Sequence, residues 1–425
     1  MAGFRGYTCS ICGTEFGSDF SDYVCPRDSG NLNVRLDLDA VRSRMAPADL
    51  SSVREESLWR YLPLLPVGDP GYEGSALRAA GWTPLLKPAR LGLELRMPDL
   101  WLKDDGRNPT ASFKDRASAV AVARAHEIGA ETIVTASTGN AGAALAGMAA
   151  AAGMPAVILA PRTAPPAKVA QLLIFGAHVI LVDGSYDQAF DLTIEASSEF
   201  GWYCRNTGYN PFTIEGKKTA AFEICEQLTR VSPSRGTPTW SSPDAVFVSV
   251  GDGNIISGLH KGFRELHELG WIEKIPRLFG VQAEGSAAVA NAFRAGGETI
   301  VPVRAATLAD SISVDLPRDG VRAVRAARET GGAYIVVSDA DILTAISTLG
   351  AKAAVFTEPA AATSFAGLVA ALEGGLIDRE AQVVVVLTGS GLKDVGAAMK
   401  AAGEASVIEP TLDALRRILP NGGRR

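Results

Sequence analysis

The stretch TIVTASTGNAGAALAGMAAAAGMPAVILAP, residues 132–161, carries no charged side chain. By length it meets the requirement of about 20 apolar residues for a membrane span. Its composition points elsewhere. Ala and Gly dominate it, Ser137-Thr138-Gly139-Asn140 stands near its start, and Gly153-Met154-Pro155 interrupts it. Chain breakers at those two places divide the stretch into a buried strand, a turn, a small-residue helix, a second turn and a second strand. The expectation is a β–α–β unit in a chain with no membrane partner.

The same alternation extends in both directions. Leu100-Trp101-Leu102 precedes the stretch and His178-Val179-Ile180-Leu181-Val182 follows it, with helix-length segments at Asp115–Ile128 and Lys168–Phe175. A second set of short apolar runs comprises Ala245–Val248, Leu278–Val281 and Val383–Leu387. Continuously apolar strands separated by helices imply parallel sheets covered on both faces. The predicted fold class is therefore α/β, as two open, mostly parallel domains. A chain of 425 residues is long enough for two or three full cores. The proline-rich stretch Pro233–Pro243 reads as an exposed connection, and the tail Asn421–Arg425 is expected to fray.

A net charge of −6 and the lack of any basic block exclude a nucleic-acid footprint. Five cysteines, three of them within the first 25 residues, do not form a secretory disulfide pattern. The N-terminus MAGFRGYTCS has no charged segment followed by an apolar core, so a cytoplasmic location is expected. Cys9-Ser10-Ile11-Cys12 and Cys25-Pro26-Arg27-Asp28 read as the two knuckles of a small zinc ribbon, with Asp28 where a fourth cysteine would stand. Both a structural zinc held by Cys9, Cys12, Cys25 and Asp28 and a ribbon that has lost its metal fit this pattern.

The segment richest in chemistry is Asn108-Pro109-Thr110-Ala111-Ser112-Phe113-Lys114-Asp115-Arg116. A lysine that bonds a carbonyl cofactor must be partly unprotonated, and a helix start supplies a dipole opposing its charge. Arg116 is expected to add to that opposition. Two further loops follow strands. Ser137–Gly142 opens a small-residue helix and offers N–H groups and hydroxyls to a carboxylate. Val248-Ser249-Val250-Gly251-Asp252-Gly253-Asn254-Ile255 has the strand–glycine turn–helix form that binds phosphate. Thr388-Gly389-Ser390-Gly391 places a hydroxyl at the carboxyl end of an apolar strand. His126, His178, His260 and His267 have no ligand spacing, and Cys204 and Cys225 read as small buried hydrophobes.

The Lys114 segment resembles the cofactor-lysine motif of threonine synthase and its relatives among the fold-type II pyridoxal-phosphate (PLP) enzymes. The similarity includes Trp101–Gly106 before it, Ser57-Leu58-Trp59-Arg60-Tyr61, the N-terminal ribbon and Gly389-Ser390-Gly391-Leu392-Lys393-Asp394. Nearly the whole chain is covered. The resemblance implies a zinc-ribbon-like segment at 1–35, a large PLP-binding domain from 36–125 and 205–425, and a small domain inserted at 126–204. It also implies a homodimer.

By the same resemblance, PLP is held by Lys114, Phe113, Asn140, Gly251, Asp252, Gly253, Asn254, Ile255 and Thr388, with Asn140 at the ring hydroxyl and Thr388 at the pyridine nitrogen. The small-molecule amino-acid substrate meets Ser112, Ser137, Thr138, Ala141, Asn206, Thr207 and Thr213. Lys114 is the catalytic residue, its freed amine taking the α-proton before a β- or γ-leaving group is expelled. The leading activity is conversion of O-phosphohomoserine and water to threonine and phosphate. Alternatives are a paralogue using another O-phospho or O-acyl amino acid, such as a cysteate synthase-like enzyme, a threonine or serine dehydratase, and a non-catalytic scaffold.

Two departures bear on the substrate. Threonine synthases usually show Gly-Asn-x-Gly-Asn at the phosphate loop, where this chain has Asp252 and Asn254. A carboxylate beside a phosphate is unfavourable unless it points away, as it would in capping the next helix. Relatives also place an arginine immediately before the aliphatic-Glu-Gly of this region to clamp the substrate's phosphate, and here that position is Thr213. Lys217 or another cation would have to replace it.

Overall fold

The computed structural model describes residues 3–231 and 239–419. Its thirteen strands are β1 (Phe4–Cys9), β2 (Glu15–Phe16), β3 (Leu32–Leu36), β4 (Leu85–Leu86), β5 (Leu100–Asp104), β6 (Ile133–Ala136), β7 (Ala156–Pro161), β8 (His178–Val182), β9 (Tyr203–Cys204), β10 (Ala245–Ser249), β11 (Arg277–Ala283), β12 (Tyr334–Val337) and β13 (Val383–Leu387). They form three sheets, ordered β2-β1-β3, β12-β11-β10-β13-β5-β4 and β8-β7-β6-β9. The four-stranded sheet is parallel throughout, and the six-stranded sheet is parallel except at β4. This is the α/β architecture that the apolar runs predict.

Residues 132–161 form β6, a helix at Asn140–Ala151 and β7. The helix is almost wholly buried because alanine and glycine allow close approach on every side. Among the described residues no helix is long and apolar enough to cross a membrane. The β10 and β13 strands are buried along their whole length, as central parallel strands covered on both faces should be. β8 departs from that pattern. It is equally apolar yet sits at a sheet edge, with Leu181 exposed. A continuous apolar run specifies a strand but not its place in the sheet.

The helix carrying Lys114 (Lys114–Glu127) packs against the helix Phe212–Val231, and the latter against Asn254–Glu268. Gly216 permits the first contact, since a Cβ there would collide with the carbonyl of Arg116. Gly258 permits the second, where a Cβ would lie 2.7 Å from the Cβ of Lys217. The ribbon sheet docks on the larger body through Asn31, whose amide donates to the carbonyls of Gly208 and Arg318, and through Arg322, which donates to Asn33 at 2.8 Å. Part of the expected exposed connection is packed: Trp240 is buried and donates its N–H to Trp271 at 2.7 Å. Positions 232–238 and the tail 421–425 lie outside the described residues.

Candidate active site

Lys114 begins its helix, preceded by a loop that its neighbours fix at both ends. Ala111 adopts a left-handed φ of 63°, a conformation costing roughly 1–2 kcal/mol for a residue with a Cβ. Asp115 holds the turn by accepting from the N–H of Thr110 at 2.6 Å and from its hydroxyl. Phe113 donates its N–H to the Thr388 carbonyl at 2.9 Å, Ser390 donates to Ala111 at 3.1 Å, and Ser112 bridges to Gly389. The loop before Lys114 and the Thr388 turn, far apart in sequence, are thus one structure.

In front of them lies a cavity of about 430 Å³, lined by Lys114, Thr207, Lys217, Gly251–Ile255, Ser311 and Thr388, among others. A second cavity of about 380 Å³ shares Ser311 and Ala360 with it and adds Thr138, Asn140, Lys168, Glu358 and Lys393. Strand carboxyl ends supply both, at β5, β6, β10 and β13, where ligands sit in open α/β sheets.

The amine of Lys114 has no hydrogen-bond partner among the described residues. Burial lowers its pKa; the carboxylate of Glu358 opposes that shift, and the charge of Arg205 adds to it. The expectation about Arg116 is corrected here. Arg116 is fully buried but neutralised by Asp105 and Glu223, so Arg205 is the cation that acts on Lys114. Lys217 is held well below the ordinary lysine range by burial, then by Arg205 and Lys114, and it bonds Asn254 of the glycine loop.

Asp252 is also placed differently from expectation. The helix Asn254–Glu268 starts at Gly253, with φ 92° and no side-chain cap. The Asp252 carboxylate instead accepts from the N–H of Arg318 at 3.3 Å, and burial raises its pKa. The carboxylate is therefore held at the Arg318 backbone and not at the start of the following helix.

The other expected site residues separate into two groups. Ser137 accepts from Gly139 at 3.2 Å, and Ala141 is half-buried on the following helix, so the Ser137–Ala141 turn opens on the second cavity. Asn206 and Thr213 line neither cavity. The Asn206 amide oxygen accepts from Ala136 at 2.8 Å and Thr135 at 3.1 Å, holding its loop to β6. The Thr213 hydroxyl donates to Asn210 at 2.8 Å and lies 3.3 Å from the Asn254 amide oxygen.

Glu358 was not foreseen. Its carboxylate accepts from Asn140 at 2.7 Å, and burial raises its pKa against the influence of Asn140 and Lys114. The available signal was Glu358-Pro359, a proline opening the helix Pro359–Glu373, which marks a helix start but not a cleft.

PLP fits this donor set. A lysine amine without a partner faces the cavity, and two glycines line the phosphate loop. A Cβ at Gly251 would lie 2.9 Å from Ile312, and Gly253 needs its positive φ. The loop opens a 15-residue helix whose free N–H groups favour an anion. Thr388, which is 2% exposed, supplies a hydroxyl in place of a carboxylate.

Residues 76–389 match the family described as pyridoxal-phosphate dependent enzyme. The chain belongs to that family. It is 38% identical to a threonine synthase of Methanocaldococcus jannaschii, over 97% of this chain and 98% of the relative, and 36% identical to one of Methanosarcina acetivorans with the same coverage. It is similar in fold to threonine deaminase isoform 2 of Solanum lycopersicum (TM-score 0.65, 22% identity, 81% of this chain and 92% of that one) and to maize serine racemase (TM-score 0.62, 23% identity, 75% and 91%).

In the ribbon, the ligand atoms of Cys9, Cys12, Cys25 and Asp28 lie within 4.8 Å of one another. The Cys12 and Cys25 sulfurs are 3.7 Å apart, and the Cys9 sulfur is 3.3 Å from an Asp28 oxygen. Zinc–sulfur bonds of about 2.3 Å in a tetrahedron give sulfur–sulfur edges of about 3.8 Å. Of the two cysteines read as small hydrophobes, Cys204 is buried, which pushes its thiol up to about 12, and Cys225 is buried and likewise raised. Burial moves His260 down to about 4, and it lies beside Glu329, outside both cavities.

Proposed function

We propose that this enzyme converts O-phosphohomoserine and water to threonine and phosphate. The observation that carries the reading is the near-full-length similarity to threonine synthases, 38% identity over 97% of the chain. In this reading Lys114 bonds the cofactor, while Phe113, Gly251, Asp252, Gly253, Asn254 and Ile255 surround it. Asn140 donates to its ring hydroxyl, and Thr388 faces its ring nitrogen. When bound, PLP supplies an electron sink for the charge left at the substrate's α-carbon. A threonine hydroxyl at the ring nitrogen leaves that sink milder than a carboxylate would, which suits elimination and replacement.

Lys114 Nζ takes the α-proton. Its lowered pKa leaves a larger fraction of the amine unprotonated near neutral pH, as a base requires. Ser137, Thr138 and Ala141 receive the substrate's α-carboxylate at the start of the Asn140 helix, Thr207 borders the rest of the substrate, and Ser112, Asn206 and Thr213 stand behind the cleft and support its loops. Glu358, bonded to Asn140 and close in charge to Lys114, positions the amide and can hold a proton near the base.

The missing arginine at Thr213 favours a second reading, in which the leaving group is a different phosphate or acyl ester, or in which the intermediate is released as a keto acid. Phosphate and threonine release from O-phosphohomoserine, measured beside O-phosphoserine and threonine as substrates, tests the first reading. No threonine from O-phosphohomoserine at any pH sinks it. Cys9, Cys12, Cys25 and Asp28 hold a structural zinc. The chain divides at 1–35, 36–125 with 205–425, and 126–204, and works as a cytoplasmic homodimer.

A further inference from the structure

We propose that Arg205 receives the phosphate group of the substrate, in place of the arginine that the chain lacks at Thr213. The inference rests on the O-phosphohomoserine reading above and names the residue that confers its specificity.

Arg205 follows β9 and is fully buried. Two other arginines that are 0–3% exposed each have carboxylate partners, Arg60 at Glu226 (2.6 Å) and Arg116 at Asp105 (2.6 Å) and Glu223. Arg205 has none within ion-pair distance among the described residues. Its Nε donates to Ser118 at 3.2 Å and one Nη to Thr207 at 2.6 Å, while the other Nη is buried with no partner. A sealed guanidinium with an idle nitrogen is unfavourable unless an anion completes it.

The position of the side chain shows where that anion comes from. Ser118 lies one helical turn from Lys114, on the same face. Thr207 lines the cavity that Lys114 enters. Arg205 itself lines neither cavity, but its bond to Thr207 sets the guanidinium directly behind the cleft wall, within electrostatic reach of Lys114 and Lys217. Burial lowers its pKa to about 10, which leaves it charged at neutral pH. The cofactor's phosphate already has a cradle in the glycine loop and Lys217. The remaining cleft lysines are engaged, Lys168 with Asp310 and Lys393 with Gln171 at 3.1 Å. A free N–H beside one already fixed on Thr207 suits the forked recognition of a phosphate ester.

The test compares Arg205→Lys and Arg205→Gln holoenzymes with wild type. KM for O-phosphohomoserine and the inhibition constant of inorganic phosphate should both rise about 10- to 100-fold in Arg205→Gln and less in Arg205→Lys, with PLP affinity unchanged. A folded Arg205→Lys holoenzyme with both constants unchanged overturns the proposal. So does a loss of PLP affinity with KM constant, which would make the cofactor's phosphate the ligand. If neither variant folds, the wild-type holoenzyme crystallised with a phosphonate analogue of the substrate decides. Phosphonate oxygen within hydrogen-bond distance of the idle Nη supports the assignment, and phosphonate elsewhere overturns it. Wild type that makes no threonine defeats the underlying reading before any variant is made.

Discussion

Arg116, which belongs to the Lys114 helix, and Arg205, which bonds Ser118 of that helix, are both sealed from solvent, yet their surroundings are opposite. Arg116 donates to Asp105, Glu223, Thr83 and Thr219, and Glu223 is shared with Lys103 at 2.6 Å. Two cations face two carboxylates there, and Glu223 is held down to about 2 by Arg116 and Lys103 against its burial. At Arg205 the charge is left open. Lys114, Lys217 and Arg205 feel Asp252 and Glu358, whose pKa values are raised, and more weakly Asp105, Asp115 and Asp319, but among the described residues none of the three cations forms an ion pair. A closed ion network fixes helices; an open one of the same residue types leaves a buried cation without a carboxylate partner.

Breaking the open side first should give the largest effect on turnover. Lys114→Ala is expected to abolish absorbance near ~410–420 nm and to lower kcat by about 10³-fold or more, with little change in thermal stability because the amine has no protein partner. Absorbance and turnover on one preparation check this, and retained absorbance refutes it.

On the closed side the effect should fall on stability instead. Glu223→Gln leaves Arg116 and Lys103 sharing the Asp105 carboxylate, a loss of about 3–5 kcal/mol for a broken buried pair. Urea titration measures it; a loss below about 1 kcal/mol would show the network to be dispensable.

Glu358→Gln sharpens the contrast through pH. The folded pKa of Glu358 lies above its ordinary 4.5, so its contribution to stability is fully present below pH 4.5 and is lost as pH rises through the folded value. The glutamine variant carries no such loss. In the apoenzyme its melting temperature should match wild type at pH 4 and exceed it increasingly as pH rises towards the folded pKa, the gap in stability growing by about 1.4 kcal/mol for each pH unit climbed. Parallel melting curves across pH would contradict the buried acid. The smallest effect on the cleft is expected from Cys12→Ala, which should remove zinc, read by elemental analysis, while holoenzyme absorbance stays within about 10% of wild type.

What the sequence revealed of this arrangement depended on contiguity. Lys114, the glycine loop and the Thr388 turn each sit in a local run whose residue types state a backbone geometry, and all three line or abut one cavity. The clustering of Cys9, Cys12, Cys25 and Asp28 was legible for the same reason. Glu358 and Arg205 had no such local mark. One reads as a helix start and the other as a residue after a strand, and only the packing of β6, β9 and β13 brings them to Lys114. Asp252 shows the limit from the other side: its conflict with phosphate was visible, but its anchor, the N–H of Arg318, lies 66 positions away.

The collision that a Cβ at Gly216 would make with the Arg116 carbonyl has a consequence for reactivity. Lys114 and Lys217 project from two helices that meet backbone to backbone at that point, so a missing atom serves as the ruler between the Lys114 amine and the glycine loop. A single methyl group there would act as a wedge, displacing one amine from the other while leaving every residue that meets cofactor or substrate chemically intact.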